Sequence, residues 1–164
     1  MFIELISESE EKSAESPKRK KVLVMDEEEL VRDVVGLMLD KLGYDVSLSK
    51  DGNEAIEQYK NSKASNENFA AVILDLAVKG GMGGEEACMR LLEIVPSVIC
   101  IASSGYPDDL VLMEFERYGF KGSIAKPYRI NGLCEVLQEV IGGHFEKKTE
   151  HHLRGNPPIR RTGF

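Results

Sequence analysis

Short runs of consecutive apolar residues recur along this chain, separated by stretches with the spacing of amphipathic helices. Three of the runs occupy 22–25 (VLVM), 71–74 (AVIL) and 98–101 (VICI). A run without polar alternation is typical of a strand that is covered on both faces. Strands that alternate with helices imply crossover connections, a parallel sheet and helices on both of its faces. This pattern therefore predicts an α/β fold.

The same pattern divides the chain into one folded domain at 20–142, an N-terminal tail or linker at 1–19 and a C-terminal tail at 143–164. Two further strands and five helices complete the predicted domain, and Asn53 is expected to cap the second helix. The further strands are predicted at 44–48 and 122–125, and the helices at about 27–42, 53–63, 85–94, 108–119 and 131–141.

Charge and composition exclude several classes of function. The formal net charge is -7 and the isoelectric point is about 5.1, so we expect no nucleic-acid partner, which would require a clustered basic surface. The sequence has neither a signal-peptide pattern nor an apolar stretch of the roughly 18 residues that a membrane span requires. The widely spaced Cys88, Cys100 and Cys134 are consistent with reduced thiols. We therefore expect a cytoplasmic protein with no membrane segment.

Polar residues that carry chemistry follow the predicted strands. Asp26 and Glu27 follow the first strand, Asp75 the third, Ser104 the fourth and Lys126 the fifth. In parallel α/β sheets, ligands bind beyond the carboxyl ends of the strands. Clustered acids need a compensating charge, and Mg²⁺ takes oxygen ligands. Together with the metal ion, a lysine ammonium and a serine hydroxyl suit an anionic phosphoryl group.

These segments resemble the response-regulator receiver domains of two-component phosphorelay signalling. The resemblance is carried by four segments, each at a strand end, and it extends over about 20–142. The segments are VLVMDEE at 22–28, VILDL at 72–76, Ser104-Gly105 and Lys126-Pro127. The glycine-rich loop GGMGG at 80–84 and the segment SSGY at 103–106 are closest in style to receivers of hybrid histidine kinases. The resemblance implies a flavodoxin-like, doubly wound, five-stranded parallel sheet of order 2-1-3-4-5 with five helices.

The resemblance also implies the roles of individual residues. Asp75 would be the phosphoacceptor, and Lys126 and Ser104 would contact the phosphoryl group. Mg²⁺ would be the cofactor, held by Asp26, Glu27, Asp75 and the backbone carbonyl of Ala77. The implied partner is a histidine kinase or a phosphotransfer protein, and the last two strand–helix units could mediate self-association. Such a domain is a signalling phosphoacceptor that catalyses only its own phosphorylation and dephosphorylation.

The chain departs from the usual receiver pattern at three positions. Glu27 stands where an aspartate is usual, Lys79 where a proline is common, and Ser123 where many receivers carry an aromatic residue. Tyr106 is an aromatic candidate to replace the last of these.

Four residues near the site are expected to modulate how the domain switches on phosphorylation. They are Gly105, Tyr106, Ser123 and Pro127.

Two alternatives remain beside the phosphorylation switch. The first is a pseudo-receiver, an interaction module of the same fold that is never phosphorylated, and Glu27, Lys79 and Ser123 favour it. The second is a flavodoxin-like cofactor binder. That function needs a phosphate-binding loop after the first strand, where the acidic run DEEE at 26–29 would repel a phosphate.

Overall fold

The computed structural model describes residues 16–142, so most of the two predicted tails, 1–15 and 143–164, lies outside the described residues. Strands and helices alternate along this range as predicted. The strands are β1 (Lys21–Met25), β2 (Asp45–Ser49), β3 (Phe69–Asp75), β4 (Cys100–Ser104) and β5 (Gly122–Ala125). The helices are α1 (Glu29–Lys41), α2 (Gly52–Ala64), α3 (Gly84–Ile94), α4 (Leu110–Met113) and α5 (Ile130–Gly142), and a 3-10 helix (Phe115–Tyr118) follows α4.

All five strands form one parallel sheet of order β2-β1-β3-β4-β5. The predicted flavodoxin-like fold is therefore confirmed. The order reverses direction between β1 and β3, because β2 lies on one side of β1 and the later strands lie on the other. Ligands in such sheets bind at this reversal point, beyond the carboxyl ends of the strands.

Each face of the sheet is covered by its own hydrophobic core. Alternate side chains of β1 and β3 point to opposite faces, so Leu23 and Leu74 enter one core while Val24 and Ile73 enter the other. The first core is closed by α2, α3 and α4, and the second by α1 and α5. The runs 22–25 of β1 and 71–74 of β3 are apolar on both faces because both faces are buried there.

The predicted fourth helix is divided in the structure. A short helix with buried Leu112 ends at Glu114, and the chain continues as a 3-10 helix up to Gly119. Leu112, Phe115 and Tyr118 all contact the first core and recur every three residues, which is the period of a 3-10 helix. The expectation of one continuous helix at 108–119 was therefore wrong.

The predicted cap of α2 was also wrong. Asp51 occupies the capping position, where its Oδ1 accepts a hydrogen bond from the backbone N–H of Glu54 at 2.9 Å. Asn53 lies inside the first turn, one residue beyond Gly52, at which the helix begins.

No helix within residues 16–142 combines the length and the apolarity needed to cross a bilayer.

Candidate functional site

Two buried carboxylates and one ammonium group meet at the carboxyl edge of the sheet. Asp26 directly follows β1, Asp75 is the last residue of β3, and Lys126 directly follows β5. Lys126 Nζ lies 2.6 Å from Asp26 Oδ2 and 3.1 Å from Asp75 Oδ1. The Asp26 and Asp75 side chains are 0% and 2% exposed, whereas that of Lys126 is 16% exposed. The topology therefore brings three of the predicted site residues into direct contact.

The charges in this cluster perturb one another. Burial raises the pKa of Asp75, the neighbouring charge of Asp26 raises it further, and Lys126 and the Ala77 N–H oppose the rise without cancelling it. Burial alone would lower the pKa of Lys126, but its bonds to Asp26 and Asp75 outweigh that effect and raise it. One positive charge thus faces two buried acids. A further positive charge at this place would be electrostatically favourable.

The two oxygens of Asp75 have different surroundings. Oδ1 accepts a hydrogen bond from the backbone N–H of Ala77 at 3.3 Å and is also the oxygen that contacts Lys126. Within residues 16–142, both contacts of this carboxylate fall on Oδ1. Oδ2 takes part in neither contact, so it is the oxygen that is available as a nucleophile.

Asp26 offers the clearest sign of a cation site. Its Oδ1 accepts a hydrogen bond from the Glu28 N–H at 2.9 Å, but Oδ2 is fully buried and accepts no hydrogen bond within the described range. Its one close partner there is the Lys126 ammonium, which is an ionic contact. A buried carboxylate oxygen in this condition suits a divalent cation, and Mg²⁺ is commonly held by one or two carboxylates with waters. Asp26 and Asp75 fit such an ion.

Glu27, the third predicted acidic ligand, is hydrogen-bonded outside the Asp26–Asp75–Lys126 cluster. Its half-buried side chain points to the loop between β3 and α3, where Oε2 accepts a hydrogen bond from the backbone N–H of Lys79 at 2.7 Å. In the described part of the chain, no three acidic, histidine or cysteine side chains come together in a group that could hold a metal ion. The metal roles of Glu27 and of the Ala77 carbonyl stay predictions.

Sequence comparison identifies the family to which this arrangement belongs. Residues 22–138 match the response regulator receiver domain. The chain belongs to this family. The matched segment includes every predicted site residue and the whole sheet except Lys21, the first residue of β1.

Similar proteins agree with this assignment, and a similar structure agrees with the fold. The chemotaxis protein CheY of Thermotoga maritima is 28% identical over 74% of this chain and 97% of its own length. The sensory transduction protein RegX3 of Mycobacterium tuberculosis is 26% identical over 85% of this chain, which spans 59% of that protein. The CheX–CheY–BeF₃–Mg²⁺ complex from Borrelia burgdorferi contains a chain with the same fold, at a TM-score of 0.67 and 21% identity, covering 74% of this chain and 88% of that one.

In this receiver domain, the hydroxyl of Ser104 makes two local bonds. It accepts a hydrogen bond from the Tyr106 N–H at 3.1 Å and donates one to Asp109 Oδ2 at 3.3 Å. Ser104 is buried as the last residue of β4. The next two residues, Gly105 and Tyr106, which are predicted tuning residues, are exposed. A side-chain carbon at Gly105 would meet nothing within 4 Å. This side of the site is therefore open to a partner.

The remaining predicted tuning residues lie along and beyond β5. Ser123 is half-buried and pairs in register with Ala102 of β4. The peptide bond between Lys126 and Pro127 is cis, as the family resemblance implies.

Sequence analysis missed two residues that support the site. Arg32 NH1 donates to the backbone carbonyls of Asp26 and Glu27 at 2.7 and 3.0 Å. The buried hydroxyl of Tyr128 is hydrogen-bonded to Ser103, and burial raises the pKa of Tyr128 to about 12 despite that bond. Asp109 caps α4, at the predicted start of that helix. The position of Tyr128, two residues after the lysine, was an available signal, whereas Arg32 binds backbone carbonyls and left none.

The glycine-rich loop after β3 has a steric role beside Asp75. A side-chain carbon at Gly84, the first residue of α3, would lie 2.7 Å from the backbone oxygen of Asp75. Such a distance is shorter than any ordinary contact, so only glycine lets α3 begin this close to β3.

Proposed function

We propose that this receiver domain takes a phosphoryl group on Asp75 in two-component signalling, in a Mg²⁺-dependent reaction, and thereby switches a partner-binding surface. The observation that carries the proposal is the shared contact of Lys126 with Asp26 and Asp75, two buried carboxylates at the carboxyl edge of the sheet. A buried acid pair is costly, and such sites are commonly functional.

The proposed transfer is a displacement at phosphorus. Asp75 Oδ2 attacks the phosphoryl group of a phosphohistidine, the new P–O bond forms as the P–N bond breaks, and the imidazole leaves with the electron pair of that bond. Asp26, Glu27, Asp75 and the Ala77 carbonyl would hold Mg²⁺, which supplies charge neutralisation at the phosphoryl oxygens. Lys126, already 3.1 Å from Asp75 Oδ1, supplies a second positive charge at the same place.

Ser104 carries the proposed switch. To donate to a phosphoryl oxygen, its hydroxyl has to leave Asp109 Oδ2, to which it donates in this structure. Asp109 also caps α4, since its Oδ1 accepts from the Val111 N–H at 3.0 Å. Movement of Ser104 therefore changes the contacts of the residue that begins α4, and the surface of the last two strand–helix units changes with it.

The proposal includes a partner and a location. A histidine kinase or phosphotransfer protein, acting in the cytoplasm, would donate the phosphoryl group, and self-association through the last two strand–helix units would be one output. The domain would act as a signalling phosphoacceptor that loses its phosphoryl group by hydrolysis.

Intact-mass spectrometry tests the proposal. The chain is incubated with Mg²⁺ and a small phosphodonor such as acetyl phosphate, with Asp75→Asn as the matched control. One added phosphoryl group, absent in the control and absent when Mg²⁺ is chelated, is the expected result. An equal addition in the Asp75→Asn variant would place the acceptor elsewhere and overturn the proposal.

One observation favours a second function, the unphosphorylated pseudo-receiver. The Glu27 carboxylate accepts from the Lys79 amide, and within residues 16–142 no three acidic, histidine or cysteine side chains form a group that could hold a metal ion. The same experiment separates the two functions, because a pseudo-receiver would gain no phosphoryl group and would bind neither Mg²⁺ nor beryllium fluoride.

A further inference from the structure

Two of the three departures from the receiver pattern are joined by one hydrogen bond. Glu27 Oε2 accepts from the backbone N–H of Lys79 at 2.7 Å, across 52 positions of sequence. A proline at 79 has no N–H to donate. An aspartate at 27 is one methylene shorter and would need a different approach to the same amide. The bond therefore depends on both departures.

This bond fixes the first half of the loop between β3 and α3. The second half is held independently, because the Gly52 N–H donates to the Met82 carbonyl at 2.9 Å and the Met82 side chain is buried. Between the two attachments lies Gly80, which is exposed and has a φ of +72°. Ala77, whose carbonyl is a predicted metal ligand, lies two residues before Lys79. The Glu27 bond thus holds the part of the loop nearest to Asp75.

The Glu27 carboxylate is also predicted to bind the metal ion. A bond from an N–H to a carboxylate at 2.7 Å is a short, charge-assisted one. Within residues 16–142, Glu27 does not join Asp26 and Asp75 in a three-acid group. A cation that takes Oε2 as a ligand draws electron density from the oxygen that accepts from the Lys79 amide, so the ion and the amide compete for Glu27.

We infer that Glu27 is a loop-positioning residue whose bond to the Lys79 amide competes with Mg²⁺. Binding of the ion then releases the first half of the β3–α3 loop beside the phosphoacceptor, and the bond weakens Mg²⁺ binding. The inference rests on the proposed function, since it concerns the same site.

Two substitutions of Lys79 separate its amide from its charge. Lys79→Pro removes the N–H and the charge, whereas the control Lys79→Ala removes the charge and keeps the N–H. We expect Mg²⁺ to bind about tenfold more tightly to Lys79→Pro than to Lys79→Ala, since one charge-assisted bond no longer competes. Isothermal titration with MgCl₂ measures both dissociation constants. Equal constants, or weaker binding by Lys79→Pro, would overturn the inference.

Amide hydrogen exchange of Lys79 tests the competition in the unmodified chain. Without Mg²⁺, this amide should exchange more slowly than in Glu27→Ala, and saturating Mg²⁺ should raise its rate toward that of the variant. Protection that is unchanged at saturating Mg²⁺ would contradict the inference. This measurement decides the question even where Lys79→Pro does not fold.

The outcomes distinguish the inference from the proposed function. A chain that binds Mg²⁺ and takes up a phosphoryl group, but whose Lys79 variants bind the ion equally, contradicts the inference alone. A chain that binds no Mg²⁺ and takes up no phosphoryl group contradicts both.

Discussion

Ser104 donates its hydroxyl to Oδ2 of Asp109 at 3.3 Å, and the other oxygen of the same carboxylate caps α4. One side chain therefore connects the last residue of β4, at the proposed phosphorylation site, to the first turn of a helix on the surface. The exposed side chains of Tyr106, Leu110 and Met113 lie along this segment. A change in the bonding of Ser104 thus has a direct physical route to an exposed, partly apolar surface.

The cap on α4 should be measurable. Asp109→Ala should lower the free energy of unfolding by about 1 kcal/mol, because α4 loses its cap and Ser104 loses its acceptor. Asp109→Asn is the matched control, since an asparagine caps as well as an aspartate, and it should stay close to the parent chain. Urea unfolding of the three proteins compares these free energies. Equal losses in both variants would show that the carboxylate charge, rather than the cap, is important.

The buried Asp75 carboxylate should destabilise the fold at neutral pH. Burial and the charge of Asp26 raise the pKa of Asp75 in the folded state, so the ionised carboxylate is disfavoured there. This penalty is full above the folded-state pKa and disappears below the pKa of an unfolded-chain aspartate, about 3.9. Asp75→Asn should therefore raise the free energy of unfolding by about 0.5–2 kcal/mol at pH 7.

The same gain should shrink as the pH falls toward 4, because the parent carboxyl group becomes protonated. Urea unfolding in metal-free buffer at several pH values measures the trend. Asp33→Asn, at an exposed position of α1, is the control and should change little at any pH. A gain for Asp75→Asn that grows on acidification would contradict the electrostatic account.

Removal of the Lys126 ammonium, which Asp26 and Asp75 share, should lower the stability of the fold. Lys126→Met keeps most of the aliphatic stem but leaves Asp26 and Asp75 without their positive partner. We expect a loss of about 3 kcal/mol in metal-free buffer, because breaking a buried ion pair leaves an uncompensated charge. Mg²⁺ should recover part of the loss. Thermal unfolding with and without Mg²⁺ measures this, and Lys121→Met, at an exposed position, is the control.

The close contact of Gly84 predicts a local loss of stability. Gly84→Ala should cost about 1–3 kcal/mol, since its side-chain carbon would lie 2.7 Å from the Asp75 backbone oxygen and force α3 away. Gly132→Ala in α5 meets nothing within 4 Å and should instead stabilise the chain by about 0.5–1 kcal/mol. Chemical unfolding of both variants tests the contrast, which a general effect of added methyl groups would not produce.

The apolar runs were sufficient to predict the sheet, because residues 22–25 and 71–74 are buried on both faces and therefore show no alternation. Boundaries were harder to predict. β4 runs from Cys100 to Ser104, later than the predicted 98–101, since its position is set by register with Asp75 and Ala125 on neighbouring strands. No pattern within β4 itself contains that information.

The sequence predicted the site residues that directly follow or end a strand. It did not predict the contacts of long side chains that can reach more than one partner. Asp26, Asp75 and Lys126 meet because strand order alone places them together. Glu27 has enough reach to bind either the cluster or the Lys79 amide, and the backbone of a distant loop decides between them. Arg32 likewise binds carbonyls, which every residue possesses, so sequence carries no specific signal for that contact.

Chemical mapping of the acceptor tests the central claim most directly. The chain is phosphorylated with Mg²⁺ and acetyl phosphate, reduced with borohydride, which converts an acyl phosphate to an alcohol, and digested for peptide mass spectrometry. The account predicts a reduced side chain at position 75, found only when both Mg²⁺ and the phosphodonor are present. Reduction at Asp26 or at an exposed acid, with position 75 unmodified, would contradict it.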